Sequence, residues 1–199
     1  MNGTLFSDEL EQWLTSDGPK TLGALDDVFA EKTFAVAIIF LMFIPALPIP
    51  TGGVTHLFEV ITVVLGIEMV LGLRTVWLPP RWRHRELGGS MTKRALPFMI
   101  KRIRFFERFS RPRVASLLNR RWFVRVLGAI VVGFAVGAAF APPFSGLDTL
   151  PAMGAVALAL GMVLEDIVVL GIGLALGVGG VALILTVGAA LVRLVRNVF

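Results

Sequence analysis

The chain contains no cysteine and no tyrosine. The first absence excludes disulfides, thiolate metal sites and a thiol nucleophile. The second leaves Trp13, Trp77, Trp82 and Trp122 as the amphipathic rings able to sit at a membrane–water boundary, and three of them flank apolar stretches. Histidine is limited to His56 and His84, which lack ligand spacing with Cys or Asp. Ser145 has no plausible His and Asp companions, so no hydrolytic triad can be assembled. A non-enzymatic chain without metal or cofactor is the expectation. Charge is also sparse, at 17% Asp, Glu, Lys and Arg, and the N-terminal region, with seven acids and two lysines up to Lys32, has no basic lead-in of the kind a cleavable signal needs.

What the chain does have is hydrocarbon. Its hydrophobic content is 56% and its mean hydropathy +0.81, well outside the soluble average. One apolar half runs from Phe34 to Leu73, broken by Pro45, Pro48, Pro50, Gly52 and Gly53. The other runs from Trp122 to Leu191, broken by Pro142, Pro143 and Gly146. Apolar sequence of this length points to an integral membrane protein, whose spans must be helices because lipid offers the backbone no partners. Between Arg74 and Arg125 lie fifteen of the nineteen Lys and Arg residues. Basic runs tethered between apolar helices face the cytoplasm and its anionic lipids, so nucleic acid is not an expected partner.

The resulting division is an amphipathic region at 1–32, a first membrane unit at 33–80, a basic cytoplasmic or interfacial segment at 81–121 and a second membrane unit at 122–199. Ser7 is placed to cap a first amphipathic helix carrying Leu10, Trp13 and Leu14, and Thr21 a second one reaching about Lys32. Apolar helices are expected at about 33–46, 54–75, 122–141, 150–170 and 172–192, with the last two parted by the glycines around Gly171 and Gly173. Within the basic segment Leu96, Met99, Ile100, Ile103 and Phe106 recur at helical spacing, which suits a helix lying on the membrane plane and divided at Pro97 and Pro112.

Each apolar half reads helix, Pro/Gly loop, helix. Laying Pro50–Gly53 over Pro143–Gly146 brings Glu68 and Glu165 to matching positions, a pattern that in transporters marks a site near the midplane. The candidate substrate or ion site is therefore Pro48, Gly52, Gly53, Glu68, Pro143, Gly146, Glu165 and Asp166. An intramembrane carboxylate is costly, so Glu68 is read either as functional, with Glu68, Glu165 or Asp166 coupling protons, or as a structural group, protonated and bonded to a neighbouring helix or near the interface close to Arg74. His56 and Glu59 are read through the helix dipole, with Glu59 near the positive end, and Asp148 as a cap for the helix beginning near Leu150. Arg108, Arg111 and Arg113 form the candidate phosphate or lipid-headgroup contact. Arg193 and Arg196 favour a cytoplasmic C-terminus, whereas five crossings place the two ends on opposite sides. A re-entrant short pair around residues 33–73, with its Pro/Gly-broken loop inside the membrane, is the alternative to five full crossings. Small-residue faces at Gly171, Gly173, Gly177 and Gly180 permit close packing, including a homo-oligomer.

The chain resembles the ExoD family of bacterial inner-membrane proteins linked to exopolysaccharide synthesis. The resemblance is carried by Pro45-Ala-Leu-Pro48 with Pro50 and Gly52-Gly53, by Gly66-Ile-Glu68-Met with Gly72, and by Trp77-Leu-Pro79. Phe106-Glu107-Arg108 and Ser110-Arg-Pro-Arg113 match in the basic segment, then Ala141-Pro-Pro143, Leu150-Pro151-Ala152, and Leu160-Gly161 followed by Glu165-Asp166. That family commonly has Gln at the position of Glu68 and Asp-Gly at the position of Asp166-Ile167. The resemblance implies a multi-pass protein of the bacterial inner membrane serving exopolysaccharide or envelope assembly. Its expected partners are anionic lipid headgroups and a polyprenyl-linked or other anionic lipid, bound or translocated. The other classes are a non-transporting scaffold or regulator of a synthesis complex and, third, a membrane enzyme.

Overall fold

A computed structural model describes residues 5–21, 23–24, 32–47, 54–73, 76–77, 84, 86, 89, 92–93, 96–110, 113–142 and 145–198. Among these residues there are eight helices and no strand: α1 (Phe6–Thr15), α2 (Thr33–Phe43), α3 (Val54–Leu71), α4 (Leu96–Glu107), α5 (Ala115–Leu118), α6 (Arg121–Ala139), α7 (Thr149–Leu164) and α8 (Ile167–Val198). Helices thus form in all five apolar stretches. Two of them, α6 and residues Ile167–Ala190 of α8, are long and apolar enough to cross a membrane by length and composition, while α2 and α7 are shorter apolar helices. At 1.5 Å per residue α2 is only about 16 Å long and α7 about 24 Å, against about 48 Å for α8.

The apolar helices pack as antiparallel neighbours in which glycine sets the spacing. Gly66 and Gly128 face each other where α3 meets α6, and a Cβ on Gly128 would stand 2.9 Å from the Gly66 carbonyl oxygen. Between α7 and α8 the seam is longer. Gly161 lies on Leu170, Gly173 on Leu158, Gly154 on Gly177 and Gly180 on Pro151. These pairs run in opposite directions along the two helices, so α7 and α8 form a hairpin. Along α6, Phe134 covers Gly177 and Gly137 meets Val181, which makes α6 and α8 parallel. The contacts that α3 makes with α6, α2 with α7 and α6 with α7 close the bundle. Small residues at the seams let the helix backbones approach closely and add van der Waals contact.

Following the chain direction through these contacts gives two ends. The N-terminus of α2, the C-termini of α3 and α7, and the N-termini of α6 and α8 share one end. The C-termini of α2 and α6, with residues 44–47 and 140–142 after them, and the N-termini of α3 and α7 share the other. Along α8, Gly180 already meets Pro151 in the first turn of α7, so Arg193 and Arg196 lie about 20 and 24 Å beyond that level at 1.5 Å per residue, the latter in the final turn of α8.

Several local expectations are revised. The hairpin break falls at Glu165 and Asp166, and Gly171 and Gly173 lie inside α8. Glu165 takes the left-handed C-cap conformation (φ 55°) that glycine usually fills. Ser7 is not a cap: α1 starts from Leu5, with no side-chain cap bond, and Ser7 is fully buried against Glu107. Thr21 Oγ1 does accept the Ala24 N–H at 3.1 Å. Pro97 occupies the first turn of α4, where its missing N–H costs nothing. The apolar face of α4 (Leu96, Met99, Ile100, Ile103) is buried within the same core as Phe6, Leu10 and Trp13 of α1, so protein covers the face expected to lie on lipid. Phe98 meets Phe43 at 5.8 Å and Ser110 meets Asp166, which sets α4 alongside α2 and antiparallel to it.

The seam makes a sharp contrast between two glycines of the hairpin. Gly154→Ala would force its Cβ to within 2.3 Å of Gly177 Cα and should destabilise by about 1–3 kcal/mol, as overpacking does. Gly171 has nothing within 4 Å of an added Cβ, so Gly171→Ala should be neutral or stabilising by up to about 1 kcal/mol through helix propensity. Thermal melts of the detergent-solubilised variants measure both, and equal tolerance would show that α7 and α8 do not meet along this line.

Candidate functional site

The strongest concentration of polar contacts lies at the end where α7 turns into α8. Because Glu165 is left-handed, its carbonyl turns outward and accepts the N–H groups of Arg113 and Val114, at 2.8 and 3.0 Å. Asp166 is 2% exposed, and its carboxylate is engaged on both oxygens. Oδ1 accepts the Val168 N–H at 2.8 Å, a cap for α8, and lies 3.6 Å from Arg113 Nη1. Oδ2 accepts the Ser110 hydroxyl at 3.0 Å. Lys32 Nζ donates to the Val163 carbonyl at 3.0 Å and sits 3.5 Å from Glu165 Oε1. That last pair is about one-third exposed and contributes at most about 1 kcal/mol. Chain segments from three distant parts of the sequence are tied at this point.

Glu68 belongs to a second, simpler arrangement. It lies three residues before the C-cap of α3, and its carbonyl accepts the Gly72 and Leu73 N–H groups, at 3.1 Å each, while Gly72 also reaches the Met69 carbonyl at 3.0 Å. With Gly72 at φ +84°, this is a Schellman ending. The buried side chain accepts the Trp77 N–H through Oε2 at 3.1 Å. Its carboxylate therefore stabilises the chain leaving α3. Arg125 of α6 lies across the same turn, against Gly72.

The residues expected to form one site fall in two places. Glu68, Glu165 and Asp166 are at the basic end, with Arg113 against Asp166 and Arg108 exposed just past α4. Gly146 (φ +67°) is in the turn at the opposite end, about 24 Å away along α7. Pro48, Gly52, Gly53, Pro143 and Arg111 lie outside the described residues. Next to Arg108 in the chain, the Phe105 ring packs on Phe106 and on Phe109, at centroid separations of 5.7 and 5.4 Å, and all three are exposed. Arg102 stands over Phe98 at 5.0 Å. Cations and aromatic rings thus share one outer surface.

Two features escaped sequence reading. The acidic α1 docks on the basic α4: Ser7 donates its N–H at 3.0 Å and its hydroxyl to Glu107, while Asp8, at 3.0 Å, and Glu11 bind Arg104. The Glu11 bond first, then the other acidic contacts, push the Arg104 guanidinium further up. The signal available was the opposite sign of the two segments. The second feature is the burial of Glu59, fully enclosed beside His56, with Nδ1 2.7 Å from Oε2.

The sequence model of the family described as "Exopolysaccharide synthesis, ExoD" matches residues 6–186. An uncharacterized protein of Synechocystis sp., slr1875, is 28% identical over 179 residues, covering 85% of this chain and 80% of that protein. No solved structure matches the chain.

The joint and the α3 ending carry a paired expectation. Glu68→Gln keeps an acceptor oxygen for the Trp77 N–H and should cost no more than about 1 kcal/mol, the difference between a charged and a neutral acceptor for one hydrogen bond. Asp166→Ala strands the Ser110 hydroxyl and the first turn of α8, and should cost about 1–3 kcal/mol. Denaturation of the two variants side by side checks the order. A Glu68→Gln variant less stable than Asp166→Ala would reverse the assignment of the joint as the main fastening.

Proposed function

The chain belongs to the ExoD family, and we propose on that premise that it is a multi-pass inner-membrane component of exopolysaccharide synthesis with a non-catalytic, lipid-binding role. The observation that carries the membrane reading is the outer face of α3. Leu57, Val60, Val64, Ile67 and Leu71, spaced three or four apart, are 45–67% exposed. With Ile172, Leu174, Val178, Leu183 and Leu185 exposed on α8, this apolar area exceeds what a soluble monomer leaves to water. Lipid, or a second copy of the chain at the same stripe, would cover it.

The ligand we assign to the basic end is the phosphate-bearing headgroup of an anionic lipid, a polyprenyl-linked intermediate among them. Arg108 and Arg113 supply charge-assisted contacts, and Phe105, Phe106 and Phe109 supply the apolar contact beneath. The cytoplasm is the side we assign to this end. We also read the α2–α3 and α6–α7 pairs as related halves. Exchanging them converts the α3–α6 contact into the α2–α7 contact, and both pairs pack. Glu68, Glu165 and Asp166 serve the framework in this reading, so any translocation would not be coupled through them. A scaffold that captures synthase subunits is the second reading, favoured by the acidic helix already docked on the basic one.

Native mass spectrometry from nanodiscs of mixed zwitterionic and anionic lipid tests the assignment. The parent should retain anionic lipid, and Arg108→Glu combined with Arg113→Gln should retain at least tenfold less while the cell carrying it secretes less polysaccharide. Equal retention by both proteins would remove the headgroup site. Partner capture without lipid or ion movement in liposomes would mark the scaffold.

A further inference from the structure

At the loop end of the bundle, away from the basic headgroup site, α3 holds a carboxylate that its surroundings do not satisfy. Glu59 is 0% exposed. Its Oε2 lies 2.7 Å from His56 Nδ1, while Oε1, equally enclosed, has no hydrogen-bond partner among the described residues. Thr62, one turn further on, spends its hydroxyl on the Phe58 carbonyl at 2.8 Å. From the other half of the chain Asp148, at the N-terminus of α7, stands close enough for its charge to oppose that of Glu59. The titratable groups facing Glu59 among the described residues are thus His56 on its own helix and Asp148 on the element packed nearby. The helix dipole accounts for an acid near this position. It does not account for an acid fully enclosed with one oxygen unpaired.

A buried charge is tolerated when it is paired and hydrogen-bonded, and a bare buried carboxylate oxygen is among the more expensive groups a fold can hold. A bound proton changes this. The neutral acid donates through Oε2 to His56 Nδ1, and Oε1 becomes a carbonyl, which is cheaper to leave unpaired. His56 is 34% exposed on its side chain whereas Glu59 is fully covered, so the imidazole bridges solvent and the enclosed acid. We propose that His56 and Glu59 form a proton-carrying pair, with His56 as the port and Glu59 as the store. A proton from water bonds to Nε2, the Nδ1 proton passes to Glu59 Oε2, and the imidazole is left neutral in its other tautomer. One proton leaves water and one reaches the carboxylate. The inference is independent of the exopolysaccharide reading, since it needs only this helix and this loop.

Infrared spectroscopy of the full chain in nanodiscs, followed through pH jumps, is the test. The parent should show the carbonyl stretch of an enclosed, protonated carboxyl that disappears as pH rises and shifts in D2O. Glu59→Gln should lose that band, and Glu68→Gln should keep it. His56→Gln should keep the band but slow its response to the jump at least tenfold, a readout available even if Glu59→Gln fails to fold. An unchanged titrating band in Glu59→Gln, an unslowed His56→Gln, or no such band in the folded parent at any pH would overturn the proposal. So would a band that responds to exchange of potassium for choline at fixed pH, because Oε1 would then hold a metal cation.

Discussion

The architecture depends on one joint, the left-handed turn at Glu165 with the buried carboxylate of Asp166 behind it. A non-glycine residue in this conformation is strained by about 1 kcal/mol or more and persists only where its surroundings hold it. Here they do: the strained carbonyl collects the Arg113 and Val114 N–H groups, and Asp166 collects the Ser110 hydroxyl, the Val168 N–H and the Arg113 guanidinium. The same few atoms end α7, begin α8 and fasten the basic segment. Charge and hydrogen bonding sit at the ends of the bundle, and its middle is left to glycine and apolar side chains.

That division has a consequence for the carboxylates. Glu68 and Asp166 look expensive in sequence because they stand in apolar runs, yet each is near a helix end and accepts backbone N–H groups there. Their cost is offset locally. Glu59 is the contrasting case, enclosed one turn or more inside α3 with a single imidazole for company. Position in the helix, more than residue type, separates a framework acid from one poised for chemistry.

Much of the fold was legible in the sequence because the contrast between apolar runs and Pro/Gly breaks is strong. The starts of α3 at Val54 and of α6 at Arg121 fall within a residue of expectation, and α7 begins at Thr149. The α7–α8 break was misplaced because glycines drew attention to Gly171 and Gly173, whereas the actual turn uses an unfavourable Glu held by residues some fifty positions earlier. Of the two, Gly173 serves contact, resting on Leu158, while Gly171 faces open space. The α1–α4 pairing was signalled only by the opposite charge of the two segments. Its partners are about a hundred residues apart, and helical periodicity reports which face is apolar but not what covers it. Glu59 illustrates the limit for sites, since spacing showed the His56 neighbour while enclosure emerges only from packing.

If the joint holds Ser116 near one end of the bundle while Ser145 precedes α7 at the other, a bilayer around the bundle, as proposed, must separate the two. The chain's lack of cysteine allows each to be made the sole thiol. Treated with a membrane-impermeant maleimide in intact spheroplasts, Ser145→Cys should label at once, and Ser116→Cys only after lysis. Labelling of both in intact spheroplasts, or protection of both, would put the two ends on one side and contradict the account.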